Sequence, residues 1–142
     1  MSEKELQEKV MMYRIIQSRL DAMVRQRDLF FNKIVELQNT LISVDEIVKS
    51  DSEILFPIGS EAYSFGKVVG KDKLIVEIGA GVALEKNFEE AKEIIQKRKN
   101  DIELALKELQ QEIENYSNSL SILEPEIQNL MQTKEMGNTE AG

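Results

Sequence analysis

Two long stretches of this chain carry apolar residues in steps of three and four. In the first they are Tyr13, Ile16, Leu20, Met23, Arg27, Phe30, Ile34, Leu37, Leu41, Val44 and Val48, with Arg27 the only polar member. In the second they are Ile102, Leu106, Leu109, Ile113, Tyr116, Leu120, Leu123, Ile127 and Leu130. A repeat averaging about 3.5 residues is the seam of a two-stranded, left-handed supercoil and is narrower than the apolar face of a globular helix. Pairing residues whose numbers add to 136 sets Tyr13 against Leu123, Leu20 against Tyr116, Ile34 against Ile102 and Val48 against Phe88. The two ladders can therefore lie antiparallel and in register. A globular bundle would need further helices to cover these stripes, and the sequence offers none. Lys92 and Lys99 take seam places facing Val44 and Leu37, so there the helices either splay or receive the lysine stems along the groove with the ammonium groups in water.

Between the ladders the period changes to two. Ile54, Phe56 and Ile58 alternate with Leu55 and Pro57, residues 63–69 are rich in aromatic and β-branched types, Leu74, Val76 and Ile78 share one strand face, and Val82 and Leu84 begin a fourth strand. Gly59-Ser60, Gly70-Lys71-Asp72 and Gly79-Ala80-Gly81 supply the connections, which predicts two β-hairpins. Four strands this short cannot build a core of their own, and their open edges need partners. Oligomerisation through Phe56, Ile58, Tyr63, Phe65, Leu74, Val76, Ile78 and Val82 is the expected result.

The boundaries follow from capping chemistry. Ser2 with Glu5 reads as a capping box opening helix one, Ser50-Asp51-Ser52 closes it, and Asn87 with Glu90 opens helix two. Pro125 lies inside the second ladder, but Ile127 and Leu130 keep the phase, so a bend is expected and not an end. The reading is one domain, residues 1–142, α+β but mainly α: helix one over about 3–50, a hairpin insert over about 53–86, helix two over about 88–134, and a frayed tail over 135–142.

Composition narrows the functional classes. With 31% charged residues, 6% aromatics and no Trp, the interior is mostly seam. A net charge of −8 with no basic stripe argues against nucleic acid, whose phosphates need a basic face. No apolar run approaches a membrane span and no signal-peptide core follows the N-terminal Met-Ser-Glu-Lys-Glu, so a soluble, cytoplasmic protein is expected.

Catalytic readings are poor. Without His or Cys, the usual general base, thiolate nucleophile and zinc ligands are missing. The acid pairs Glu89-Glu90 and Glu124/Glu126 suit a solvated helix face or the positive end of a helix dipole. Gly79-Ala80-Gly81 lacks the Gly-Lys-Ser/Thr of a phosphate loop, and Leu84 stands where a dinucleotide fingerprint has its third glycine. No catalytic, cofactor or metal residue is assigned, and the chain is not expected to be an enzyme.

A stronger signal lies outside the seam. With Tyr13 at a, Met11 falls at f, Ile15 at c and Met12 at g, while on the second helix Ile122 falls at c and Met131 at e. Scattered exposed hydrophobes are ordinary. A cluster at the open end of the hairpin is a candidate binding surface, and methionine, unbranched and polarizable, suits varied partners. Leu29, Phe31, Val35 and Ile42 also lie outside the seam, nearer the insert, where packing against the insert or a neighbouring subunit is the expectation.

The run Glu53-Ile54-Leu55-Phe56-Pro57-Ile58-Gly59, then Leu74-Ile75-Val76-Glu77-Ile78-Gly79-Ala80-Gly81-Val82-Ala83-Leu84-Glu85-Lys86 and Phe88-Glu89-Glu90-Ala91, resembles the central segment of α-class subunits of the prefoldin family of archaeal and eukaryotic co-chaperones. Phe56 stands before the proline where valine is commoner, and Ile78 opens the Val-Gly-Ala-Gly segment. Two hairpins fit the α class. The resemblance implies a hexamer of two α with four β subunits on a β-barrel platform. It also implies ATP-independent capture of unfolded client proteins at the coiled-coil tips and delivery to a group II chaperonin, with no cofactor, nucleic acid or membrane involved. The alternative is a structural coiled-coil tether binding one defined partner.

Overall fold

The computed structural model describes residues 2–49 and 51–141, with side chains described for 3–49 and 51–137. Helix α1 spans Ser2–Lys49 and helix α2 spans Phe88–Ala141. Between them lie β1 (Ile54–Gly59), β2 (Ala62–Gly66), β3 (Lys73–Gly79) and β4 (Val82–Asn87). The strands form two separate antiparallel hairpins, β1–β2 and β3–β4. Packing divides the chain into two units: one holds residues 1–31 and 104–142, the other residues 32–103.

The unit of residues 32–103 holds most of the buried apolar side chains. Leu37 and Val44 of α1 pack with Phe88 and Ile95 of α2, and Leu41, Ile47, Leu74 and Ile102 close around them. Ala91 is fully buried beside this cluster, where a small side chain lets the helices approach. The lysine question resolves without splaying. Lys92 donates to Asp45 at 2.7 Å, while Lys99 donates to Gln38 at 2.7 Å and lies 3.4 Å from Glu103. Each ammonium thus finds an acceptor on the residue next to the buried Val44 or Leu37. Val48 leaves the seam. It is 50% exposed, and Ile47 packs on the core in its place, a one-residue phase change at the last turn of α1.

Helix α2 begins as its sequence predicts. The Glu90 backbone N–H donates to Asn87 Oδ1 at 2.8 Å, and Asn87 Nδ2 donates to Glu90 Oε1 at 2.7 Å. Both hairpins bulge one residue before the turn, where the register shifts across Ile58 in β1 and across Ile78 in β3. Ala80 and Gly81, the turn residues of β3–β4, both have positive φ (52° and 75°), as a type I′ connection requires. Gly66 has a packing role. A Cβ there would sit 2.8 Å from Phe56 Cε2, so the missing side chain leaves room for the ring across the hairpin.

The unit of residues 1–31 and 104–142 is a two-helix seam. Lys9 donates to Glu126 at 2.7 Å, Arg19 donates to the Tyr116 hydroxyl at 3.1 Å, and Lys134 donates to Glu3 at 3.2 Å. The residue numbers of these pairs add to 135, 135 and 137, which is the expected antiparallel register. Leu123 is buried and the other seam residues are half-buried, because two helices alone cannot enclose their own interface. Helix α2 continues through Pro125. It also runs on to Ala141, so the tail expected to fray from residue 135 is instead its last turns. An existing helix needs no new nucleus, and Gly137 costs only about 1 kcal/mol against alanine. The capping role expected of the Ser2 side chain and the closing role of Ser50 lie outside the described residues.

Candidate functional site

Among the large apolar side chains that the described residues expose, which include Leu29, Phe31, Val35, Ile42 and Leu104 on the helices, two sets contain the sequence-predicted site residues. The first belongs to the unit of residues 1–31 and 104–142. Met11 (65% exposed), Met12, Ile15, Ile122 (63%) and Met131 are each more than half exposed, in keeping with their positions off the seam. Ile15 and Ile122 sum to 137 and so stand at one level of the antiparallel register. Met136, on the last turns of α2, is exposed too, and the expectation of a frayed tail leaves it out of the sequence-predicted set.

The second set belongs to the hairpins. Along β1–β2, Leu55 pairs with Phe65 and Pro57 with Tyr63, which puts four apolar residues on one face, all exposed. Phe56 and Ile54 lie on the opposite face, each only slightly above one-third exposed. In β3–β4 the residues proposed for oligomerisation divide. Ile78 and Val82 are about half exposed, but Val76 is only 7% exposed and Leu74 packs against the chain's own core. Leu74 and Val76 are therefore corrected from assembly to internal packing. Strand alternation turns that face onto the helices, and the bulge at Ile78 turns the next residue back outward. The same alternation exposes Ile75, which the sequence reading passed over.

Charge fastens β3–β4 in place. Arg98 of α2 donates to the Glu77 carbonyl, tying the backbone of β3 to the helix. Lys71, in the turn before β3, reaches Asp51 at 2.5 Å. The hydrogen bond from Lys71 lowers the Asp51 carboxyl below its ordinary value, and the bond from Lys92 does the same for Asp45. In return Asp45 raises the Lys92 ammonium, as Glu126 raises that of Lys9, in each case through the hydrogen bond first.

A groove of about 570 Å³ runs beside the seam of the first unit, with Tyr13 and Ile127 among its apolar lining and Arg14, Asp21 and Glu124 among its charged lining. No group of three or more His, Cys, Asp or Glu able to hold a metal occurs among the described residues. Among them, too, no helix is long and apolar enough to cross a membrane.

Residues 16–133 match the family model described as prefoldin subunit, a span that takes in the whole insert and most of both helices. The chain belongs to the prefoldin family. Its curated relatives include the prefoldin subunit alpha of Pyrococcus horikoshii, 30% identical over 110 residues that cover 75% of this chain and 74% of the relative. They also include that of Archaeoglobus fulgidus, 33% identical over 106 residues covering 72% and 76%. Among solved structures, a chain from the cryo-EM structure of filamentous PFD from Methanocaldococcus jannaschii aligns with a TM-score of 0.68. It covers 80% of this chain and 95% of its own length at 22% identity, which supports the two-helix, two-hairpin prefoldin fold alone. Prefoldin subunits are chaperone components, and this chain is a chaperone-type subunit.

Proposed function

We propose that this chain is the α subunit of an ATP-independent holdase, which captures unfolded proteins at the helical tips and passes them to a group II chaperonin in the cytoplasm. The observation that carries the reading is the exposed apolar set Met11, Met12, Ile15, Ile122 and Met131, which the two-helix seam leaves uncovered. Each such side chain contributes only about 1.5–3 kcal/mol on burial, too little to hold a client alone. Several tips engaging one chain raise the effective concentration and hold it. Weak, separable contacts also allow release without a nucleotide.

The hairpins complete the proposal. An isolated two-stranded hairpin is marginal in water, and β1–β2 with its apolar face exposed needs other chains around it. Two α with four β subunits, their hairpins joined in a β-barrel platform, meet that need. Phe56, Ile58, Tyr63, Phe65, Ile78 and Val82 are the contacts from this chain, with Leu55 and Ile75 added.

The test is dilution of a chemically denatured protein into buffer holding the assembled complex, with native mass spectrometry to confirm assembly. Wild type protects several unrelated proteins. Changing Met11, Met12 and Met131 to Gln and Ile15 and Ile122 to Ser abolishes protection while the complex stays whole. Equal protection by an intact mutant complex would overturn the tip assignment, and protection of one defined protein only would indicate a tether.

A further inference from the structure

The chain contains six methionines and no cysteine, so thioethers are its only sulfur. The methionines stand at positions 1, 11, 12, 23, 131 and 136, and none lies between Met23 and Met131. Among the described residues, the unit of residues 1–31 and 104–142 exposes nine large apolar side chains, four of them methionine: Met11, Met12, Met131 and Met136. The unit of residues 32–103 exposes fourteen, and none is methionine. Met23 is partly buried in the seam. The surface proposed for clients is thus rich in an oxidisable side chain, and the surface proposed for assembly has none.

We infer that Met11, Met12, Met131 and Met136 form a modification site at which peroxide switches off client capture while leaving the complex assembled. The inference rests on the client-binding reading above. In the reaction the thioether sulfur attacks one oxygen of hydrogen peroxide. An S–O bond forms as the O–O bond breaks, the departing hydroxide takes the proton from the transferred oxygen, and the products are sulfoxide and water. Sulfur is oxidised by two electrons and the peroxide is reduced. The sulfoxide is polar and chiral, so an adaptable apolar contact becomes one that must stay hydrated. Ile15 and Ile122 are not converted, but two aliphatic contacts without their neighbours lose the multivalency on which capture depends. Reduction by the two epimer-specific classes of methionine sulfoxide reductase restores the thioethers, so the switch is reversible.

The experiment treats the assembled complex with dilute hydrogen peroxide and counts sulfoxides by peptide mass spectrometry, at about 16 mass units each. It then measures assembly by native mass spectrometry and protection by dilution of a denatured test protein. Oxidation at the four positions is expected to raise the concentration giving half protection at least about tenfold, the factor that loss of one buried apolar contact corresponds to. Assembly remains unchanged, and sulfoxide reductases return protection to its starting value. In a variant with leucine at all four positions, the level of protection, whatever it is before treatment, is the same after peroxide. If that variant loses protection as wild type does, damage elsewhere is responsible and the inference is overturned. Full protection by a complex carrying all four sulfoxides overturns it as well. The Gln/Ser variant described above then separates the two readings: if it fails to protect, the tips still bind clients and merely tolerate sulfoxide, and if it protects, the tip assignment has failed too.

Discussion

Hairpin β3–β4 packs Leu74 on the core shared by α1 and α2, buries Val76 and is tied to α2 through Arg98, whereas β1–β2 leaves every residue except Gly66 exposed. The two hairpins have similar lengths, the same antiparallel pairing and the same bulge before the turn. They differ in where their stability comes from. The docked hairpin draws on the chain's own core, and the free one has only its own strand pairing, which is marginal in water. On the proposed function, β1–β2 is the hairpin left for assembly with other chains.

The comparison breaks most visibly under a buried charge. Val76→Asp places an unpaired carboxylate beside the core and is expected to destabilise the unassembled chain by about 3–5 kcal/mol. Phe65→Asp, on a residue that is 75% exposed, should leave that chain's thermal melt within about 0.5 kcal/mol of wild type while blocking assembly. Equal melting of the two variants would mean that β3–β4 is not docked. Backbone relief gives a smaller effect. Ala80 (φ 52°) and Glu61 (φ 59°) both occupy the left-handed region, which costs a side-chain-bearing residue roughly 1 kcal/mol or more. Ala80→Gly should therefore raise the melting temperature of the unassembled chain, and Glu61→Gly should raise only that of the complex.

Gly66→Ala tests the free hairpin from within. The new methyl meets the Phe56 ring and must push it aside, at a cost of about 1 kcal/mol that registers as weaker assembly in light scattering and not in the melt of the lone chain. The smallest expected effect is electrostatic. Asp45 ionises more readily when folded than when unfolded, so its bond to Lys92 stabilises the fold above the ordinary carboxylate range and is lost as pH falls through the lowered folded value. The melts of wild type and Asp45→Asn should differ slightly at neutral pH and converge in acid. A gap that persists in acid would assign the effect to packing.

Much of this was legible in the sequence because periodicity reports which residues share a face. The seam, the register, the Asn87–Glu90 cap and the two hairpins all follow from spacing and turn chemistry. What periodicity does not report is what each face meets. Leu74 and Val76 were rightly placed on one side of β3 but assigned to other chains, since alternation alone cannot tell a helix from a neighbouring subunit. Ile78 seemed to continue that side, and only the bulge turns it outward. At the end of α1, Val48 and Ile47 are equally apolar, and contact with Phe88 and its neighbours decides between them. The off-seam residues were legible for the opposite reason: in a two-stranded coil, a hydrophobe away from a and d has nothing within its own hairpin to cover it.

The bulge at Ile58 also bears on how far such a protein can grow. A strand approaching the open side of β1 finds a regular ladder only from Ile54 to Pro57, and Pro57 has no N–H to give. Beyond it the spacing of donors and acceptors is broken by the extra residue. Four residues interrupted by a proline make a poor template for indiscriminate strand addition. Any partner recruited to this edge has to rely on side chains such as Leu55, Phe65 and Tyr63, and a chaperone-type subunit whose unpaired strands offer so short a template is poorly suited to seed aggregation.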